Sequence, residues 1–354
     1  MRHLYLHVPF CVRRCSYCDF SIAVRKRIPA REYVEAVLQE LALVRDSSDG
    51  ALETLYLGGG TPSLLPPEAI DTLVRSIRNP QSAIRNDVEV TLEANPEDVT
   101  PDNARAWRES GVNRVSLGAQ SFDDRVLKWM HRPHDAARIG HAVRALRAAG
   151  IDNISLDLIF ALPAELERDW ARDLDLACSL LPAHLSLYGL TVEERTPLAR
   201  WVSRGATSAP NDDRYAEEYL LAHRRLAARG YAFYEVSNAA RYVGLGPAAH
   251  SFDGRARRWN TAAWEAYRRA VAAGRSPIDS EEVLTDAQRE LERVYLSLRT
   301  DTGVSLSAYP ASRLTAWVSA GWATIAGGYV RLTPEGWLRL DALAGDLTAL
   351  HDTV

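Results

Sequence analysis

Short apolar segments alternate with amphipathic segments from Leu4 to Leu187. The apolar segments, which we predict to be β-strands, are residues 4–8, 54–57, 88–92, 114–117, 154–159 and 185–187. The amphipathic segments, which we predict to be helices, are residues 30–44, 67–77, 101–110, 136–149 and 166–180. Gly111 and Gly150 stand just before the next strand, where glycine suits a helix C-cap. Strands that alternate with helices predict a parallel sheet with helical crossovers.

Two architectures fit this alternation: an open doubly wound sheet and a full or partial barrel. Unusual residues stand at the carboxyl ends of different predicted strands, namely the cysteine loop, residues 58–61, Glu93, Gln120 and Asp157. A barrel collects functional residues from many strand ends, whereas a doubly wound sheet concentrates its ligand contacts at one switch point. We therefore predict an α/β fold with a partial (β/α)6 barrel of the TIM type.

The sequence pattern changes after about residue 280. Residues 285–298 and 306–320 are predicted helices, and residues 329–332 are a predicted short strand. Thr333 then supplies the N-cap and Pro334 the first position of a final helix. This order is typical of a winged-helix-like α+β domain, which we place at residues 281–354, after a core domain at residues 1–280. Winged helices often bind DNA, but this segment has no basic stripe, so we expect a packing or partner-binding role.

Three of the four cysteines, Cys11, Cys15 and Cys18, lie within eight positions. In a reducing cytosol, clustered thiols indicate a metal site or catalysis rather than a disulfide. A zinc ribbon needs a second pair of ligands, and none follows at suitable spacing. Three thiolates in one loop can bind three irons of a cubane, which leaves one iron for a small molecule with an amine and a carboxylate, such as S-adenosylmethionine. The fourth cysteine, Cys178, lies in an apolar run and is expected in the core.

Composition argues against several classes of function. The net charge of -4 gives no overall field that would recruit nucleic acid or an anionic membrane. No stretch of about 18 apolar residues exists, and the first ten residues do not resemble a signal peptide. We therefore expect a cytoplasmic protein with no transmembrane segment and no nucleic-acid partner.

Two further sequence features suit ligand binding at strand ends. Consecutive glycines at residues 58–60 let the backbone approach a ligand closely, although a flexible turn is the alternative. Glu93 ends a predicted strand, where a carboxylate is costly unless it is solvated or paired. A ribose hydroxyl or an ammonium group would pair it.

Five sequence motifs together indicate a protein family. In chain order they are CxxxCxYC, GGGTPS, TLEANPE, SLGAQSF and SLDLIFALP. These motifs resemble the coproporphyrinogen III oxidase-like branch of the radical S-adenosylmethionine superfamily, and the likeness runs from about Tyr5 to the C-terminus. It implies a [4Fe–4S] cluster on Cys11, Cys15 and Cys18, with S-adenosylmethionine on the open iron. The residues that it places around the cofactor are Tyr5, Tyr17, Gly59, Gly60, Thr61, Glu93, Gln120, Arg132 and Asp157. For each residue taken alone, the alternative is a structural hydrogen bond.

The branch contains oxygen-independent coproporphyrinogen III dehydrogenases and heme chaperones of the HemW type. The dehydrogenases usually have a further cysteine where this chain has Phe20, and an extension before the first strand, where this chain reaches its cysteines almost at once. The segment LTPEGWLRLD also resembles the chaperones. We therefore predict a heme-binding chaperone, with the dehydrogenase as the alternative and a radical enzyme for another substrate as a third possibility. The partners implied are heme or porphyrin, a heme-receiving protein, and a reductant such as flavodoxin or ferredoxin.

One segment departs from the chaperone pattern. The chaperones usually carry HNxxYW, implicated in heme binding, between YEVSN and GxGPxAHS. Here the chain passes from Asn238 to Gly246 without it. His250 remains in the second flank as a candidate axial ligand of heme, with a structural hydrogen bond as the alternative. We expect His7 to be structural and to orient the cysteine loop.

Overall fold

The computed structural model describes residues 2–44, 51–78, 88–235, 241–309 and 311–348. The chain forms two compact units. The first comprises Met1–Asn211 and Arg241–Glu282, and the second comprises Asp212–Ala240 and Val283–Val354. The second unit thus combines a central segment with the C-terminal one, while the domain ranges 1–280 and 281–354 stay predictions from the sequence.

The central sheet of the first unit is parallel and has seven strands in the order β8-β7-β6-β5-β4-β1-β9. Its strands are β1 (His3–Val8), β4 (Thr54–Gly59), β5 (Glu89–Ala94), β6 (Arg114–Gln120), β7 (Asn153–Phe160), β8 (His184–Gly189) and β9 (Val243–Leu245). Because β8 and β9 are the two edges of this sheet, the barrel is open. The structure confirms the α/β fold with a partial (β/α)6 barrel, and β9 is an additional strand that the sequence did not indicate.

Helices of the first unit lie between successive strands of the central sheet or follow β8 along the chain. They are α1 (Ala30–Val44), α2 (Pro67–Ile77), α3 (Pro101–Glu109), α4 (Asp124–Trp129), α5 (Ala136–Ala148), α6 (Trp170–Ser179), α7 (Pro197–Ser203) and α9 (Trp264–Ala272). The inner strands bury their aliphatic side chains, as at Leu6, Leu57 and Leu92, whereas the edge strand β8 is only partly buried. Gly111 and Gly150 follow α3 and α5 with φ of +99° and +80°, which confirms the predicted glycine caps.

Smaller strands complete the first unit. The cysteine loop contains β2 (Phe10–Cys11) and β3 (Ala23–Val24), which pair in parallel. A three-stranded sheet has the order β10-β11-β12, with β10 (His250–Phe252), β11 (Ala256–Asn260) and β12 (Ile278–Val283), and β10 and β11 pair antiparallel.

The predicted helix at residues 166–180 is shorter in the structure. A 3₁₀ turn at Ala164–Leu166 precedes it, and α6 begins only after Asp169, whose side chain accepts a hydrogen bond from the Arg172 amide as an N-cap. Between them Glu167 has a φ of +46°, which breaks helical geometry. Cys178 is buried in α6, as expected for a small core residue.

The second unit contains α8 (Asp212–Ala227), α10 (Asp286–Leu298), β13 (Val304–Ser305), α11 (Ala311–Ser319), β14 (Ala323–Ala326), β15 (Tyr329–Leu332), α12 (Pro334–Trp337) and α13 (Leu340–Thr348). Its three short strands form an antiparallel sheet in the order β13-β15-β14. The elements α10, α11, the β14–β15 ribbon and the helices after it follow the predicted winged-helix-like order, to which α8 and β13 are additions. The predicted helix at residues 306–320 is instead a 3₁₀ turn at Leu306–Ala308 followed by α11, and the final helix is divided into α12 and α13.

The N-cap prediction for the final helix is confirmed. The Thr333 side chain accepts a hydrogen bond from the Gly336 amide, and Pro334 is the first residue of α12. Among the described helices, none is long and apolar enough to cross a membrane.

Candidate functional site

The carboxyl ends of β4 to β8 surround a cavity of about 340 Å³. Parallel strands end at the same edge of a sheet, so side chains that are distant in sequence meet there. The loop from Cys11 to Phe20 forms one side of the cavity. The walls include all three clustered cysteines and eight of the nine residues that the sequence placed around a cofactor.

Main-chain hydrogen bonds hold the cysteine loop on both sides. The Ser16 amide donates to the Met130 carbonyl at 3.2 Å, and the Ser16 carbonyl accepts from the Leu198 amide at 2.8 Å. The Arg25 amide donates to the Cys11 carbonyl at 2.9 Å. The loop is therefore fixed by contacts that do not involve its sulfur atoms.

The cysteine thiols lie in a partly desolvated setting. Cys11 is buried, whereas Cys15 and Cys18 are partly exposed. Burial raises the pKa of Cys11 to about 11 and also raises that of Cys18, because a thiolate loses water contacts there. Thiolates at these positions therefore need a strong local positive charge, which iron would supply.

The donor set fits a cubane better than a single ion. Among the described residues, no group of three or more His, Cys, Asp and Glu side chains could hold one metal ion. Thiolates that bind three different irons of a cluster do not converge on one point. All three cysteines nevertheless border the same cavity.

The glycine segment after β4 lies against the cysteine loop. A Cβ atom on Gly60 would lie 2.8 Å from the Phe10 carbonyl oxygen and 3.0 Å from Cys11 Sγ, so this close approach requires glycine. Gly59 has a φ of +113°, in the region that favours glycine. The Thr61 hydroxyl lies 3.3 Å from Cys11 Sγ, within hydrogen-bond reach.

Glu93 presents a carboxylate at the end of β5. The Tyr56 hydroxyl donates to it at 2.8 Å, and the Gly59 amide donates to it at 3.0 Å. Burial, with the nearby Asp157 carboxyl, raises the pKa of Glu93 to about 7 despite these bonds. A cationic or hydroxyl group of a ligand would stabilise the ionised form.

Asp157 and Gln120 stand at neighbouring strand ends. The Ser116 hydroxyl lies 2.9 and 3.1 Å from the two Asp157 carboxylate oxygens, and burial raises the pKa of this carboxyl. Gln120 has a φ of +64°, a strained conformation for a residue with a side chain. Asp173 of α6 supports the residues that follow, since it accepts hydrogen bonds from the Ser121 hydroxyl at 2.7 Å and the Phe122 amide at 2.9 Å.

Arg132 links the cysteine loop to two strand ends. Its guanidinium donates to Cys15 Sγ at 3.6 Å, to the Gly118 carbonyl at 2.9 Å and to Asn95 Oδ1 at 2.5 Å. Its Nε is buried with no partner among the described residues. The guanidinium therefore ties Cys15, Gly118 and Asn95 together at the edge of the cavity.

The two tyrosines of the predicted site differ in position. Tyr17 borders the cavity, whereas Tyr5 is outside the lining that the described residues form. The Tyr5 hydroxyl lies 3.0 Å from His7 Nδ1, and His7 Nε2 lies 3.2 Å from the Ser21 carbonyl. Tyr5 thus reaches the site through His7, which contacts the chain just after the cysteines as expected of a structural residue.

Several polar residues of the site were not singled out in the sequence. They are Tyr56, Asn95, Ser116 and Tyr188, which contact Glu93, Arg132 or Asp157 or line the cavity beside them. The strand-end rule could have found Asn95 and Tyr188, because both stand at the carboxyl ends of strands. Tyr56 and Ser116 lie inside strands, and only the register between neighbouring strands reveals their role.

The candidate heme ligand lies in a different setting. His250 begins β10, is exposed, and packs edge-on against the Trp259 ring at a centroid distance of 5.7 Å. Partial burial lowers the pKa of His250. Asn238, the preceding flank of the missing segment, lies outside the described residues.

A family model and several curated proteins match this chain. Residues 5–177 match the radical SAM superfamily. The chain is 36% identical to the heme chaperone HemW of Mycobacterium tuberculosis, over 97% of this chain and 94% of that protein. It is 32% identical to the heme chaperone HemW of Bacillus subtilis, over 86% and 85% of the two chains.

The fold resembles a solved structure at lower identity. Coproporphyrinogen III oxidase (HemN) from Escherichia coli, described as a radical SAM enzyme, superposes with a TM-score of 0.82. The match covers 97% of this chain and 88% of that one at 21% sequence identity, which supports the fold alone.

Proposed function

The chain belongs to the radical SAM superfamily and to the HemW family within it, and from that premise we propose that it is a heme chaperone. In this proposal Cys11, Cys15 and Cys18 bind a [4Fe–4S] cluster, S-adenosylmethionine binds the open iron, and the protein also binds heme. The observation that carries the cofactor part is the joint exposure of the three cysteines and of strand-end polar groups to one cavity.

The proposed roles of the residues follow from their contacts. Arg132 positions Cys15 and Asn95 through its hydrogen bonds to both, while Gly60 allows the main chain to approach Cys11. Glu93 and Asp157 offer carboxylates for the ammonium and hydroxyl groups of S-adenosylmethionine. When bound and reduced by one electron, this cofactor supplies a 5′-deoxyadenosyl radical. A flavodoxin or ferredoxin would supply that electron, and an apoprotein in the cytoplasm would receive the heme.

Phe20 favours the chaperone over the dehydrogenase. It stands where the dehydrogenases usually carry a further cysteine, and its side chain is 59% exposed at the cavity. An exposed phenylalanine offers an apolar contact in place of a thiol. The relatives that match over most of both chains are also named heme chaperones.

The cluster assignment is tested by anaerobic reconstitution of Cys15→Ser beside Cys178→Ala. Cys178 is buried in α6, away from the cavity lining that the described residues form, so it is a matched cysteine control. We expect Cys15→Ser to lose the brown chromophore and most of its iron, and Cys178→Ala to keep both. Iron at the wild-type level in Cys15→Ser would refute the ligand assignment.

The heme assignment is tested by titrating the reconstituted protein with hemin. We expect a saturable shift of the Soret band at about one hemin per chain, the stoichiometry of a single built site. A parallel anaerobic incubation with coproporphyrinogen III and a reductant tests the alternative. Formation of protoporphyrinogen without saturable hemin binding would favour the dehydrogenase and overturn the chaperone proposal.

A further inference from the structure

Apolar side chains are exposed around the mouth of the cavity. Val12 is 50% exposed, Phe20 59% and Val24 46%, and Tyr188 across the mouth is 56% exposed. Clustered exposed apolar groups on a protein surface mark a binding surface more often than isolated ones do. Val12, Phe20 and Tyr188 also line the cavity.

The pairing of β2 with β3 places residues 23–27 beside the cysteine loop. Since β2 and β3 pair in parallel, Cys11 lies opposite Val24, and the Arg25 amide donates to the Cys11 carbonyl at 2.9 Å. The following residues, Lys26 and Arg27, therefore begin beside the first cysteine. We call Val12, Phe20 and Val24, with the basic residues Arg13 and 25–27, the loop face.

The loop face combines apolar and positive groups. Arg13, Arg25, Lys26 and Arg27 are all exposed, and within the described ranges none of them has an ion pair. Asp19 is the one exposed acidic residue in the stretch from Cys11 to Arg27. The surface therefore has excess positive charge beside its apolar patch.

The volume of the cavity indicates where S-adenosylmethionine and heme would each bind. A volume of about 340 Å³ is at the low end for small-molecule sites, which span about 300–1,000 Å³. A cavity that holds S-adenosylmethionine leaves no room for a second large ligand. The mouth, where the apolar side chains are exposed, then offers the better fit for a macrocycle.

We propose that heme docks on the loop face, with its ring against Val12, Phe20 and Val24 and its two propionates toward Arg25, Lys26 and Arg27. This inference rests on the proposed heme-chaperone function and gives it a site that is independent of the missing HNxxYW segment. Heme matches the surface because it is flat and apolar in the centre and carries two carboxylates at one edge. Arginine and lysine are common partners of carboxylates.

Charge reversal on the loop face tests the proposal. The probes are hemin and hemin dimethyl ester, which lacks the carboxylates, titrated into reconstituted protein. We expect Lys26→Glu/Arg27→Glu to weaken hemin binding about tenfold, equivalent to 1.4 kcal/mol, and to leave binding of the diester unchanged. Phe20→Ser should weaken both probes. The control is Arg144→Glu/Arg172→Glu, which reverses two exposed arginines on the outer helices α5 and α6.

The outcomes separate this site from the function on which it rests. If wild-type protein does not bind hemin saturably, the heme function itself fails. If wild-type protein binds but Lys26→Glu/Arg27→Glu and Phe20→Ser bind hemin within twofold of it, the loop face is wrong while the function stands. Loss of binding to an acidic flavodoxin, with hemin binding intact, would assign the surface to an electron donor and overturn the heme site. Iron content of each variant shows whether the cluster is retained.

Discussion

Glu40 of α1 connects a helix to the segment behind the cysteine loop. Its buried carboxylate accepts hydrogen bonds from the Gly246 amide at 2.7 Å, the Asn260 side-chain amide at 2.5 Å and the Tyr267 hydroxyl at 2.6 Å. Gly246 in turn packs so closely on β1 that a Cβ atom there would lie 2.5 Å from the His7 carbonyl oxygen. One carboxylate therefore fixes the segment that supports the start of the site.

Replacing Glu40 with alanine removes the acceptor for all three donors. A buried donor left without a partner costs about 1–3 kcal/mol. Asn260 also donates to the Gly246 carbonyl at 2.9 Å, so it keeps one bond. We therefore expect Glu40→Ala to lower the free energy of unfolding by about 3–5 kcal/mol at neutral pH.

The same carboxyl gives the effect a pH dependence. Burial raises the pKa of Glu40 to about 7, above the value of 4.5 in an unfolded chain. The folded state then holds the proton more tightly than the unfolded chain. The contribution of Glu40 to the free energy of unfolding is therefore complete below pH 4.5 and falls as the pH rises to about 7. The change amounts to about 3 kcal/mol at most. Since alanine does not titrate, the stability difference between wild type and Glu40→Ala should narrow between pH 5 and pH 8.

Urea-induced unfolding followed by circular dichroism measures both effects. The matched control is Glu35→Ala, on the same helix, where the carboxylate is exposed and pairs with Arg31 at 3.3 Å. An exposed pair of this kind contributes about 0–1 kcal/mol. A loss in Glu40→Ala no larger than that in Glu35→Ala, or a difference that widens with pH, would refute the reasoning.

Two further substitutions probe the supports of the site. Gly60→Ala places a methyl group 3.0 Å from Cys11 Sγ, and we expect cluster affinity to fall about 10–100-fold, measured as iron retained against a chelator. Asp173→Asn removes the carboxylate charge that lies 3.4 Å from the buried Arg168 guanidinium and should cost about 3–5 kcal/mol in unfolding free energy. Because Asp173 holds the residues after Gln120, S-adenosylmethionine binding in that variant should weaken while iron content is retained; unchanged binding would contradict this role.

The sequence predicted the sheet well because most of its strands are short apolar runs whose leucine, isoleucine and valine side chains are buried. It also predicted which strand ends carry the polar groups. It did not predict β9, whose three residues pair with β1 from far along the chain. Tyr56 and Ser116 were also missed. Their hydrogen bonds to Glu93 and Asp157 depend on the register between neighbouring strands, which a local sequence pattern does not contain. The predicted helix 166–180 begins too early because the apolar periodicity extends back before Trp170. The N-cap Asp169, which sets the true start of α6, is not visible in that periodicity.

The main-chain bonds of Ser16 have a consequence for how the protein recovers from damage. Oxygen destroys exposed iron–sulfur clusters, and a loop shaped only by its metal would then collapse. Here the Ser16 amide and carbonyl are tied to Met130 and Leu198, and neither bond depends on sulfur. We therefore expect the loop to keep its main-chain course after loss of the proposed cluster, so that iron and sulfide could be reinserted without refolding of the chain.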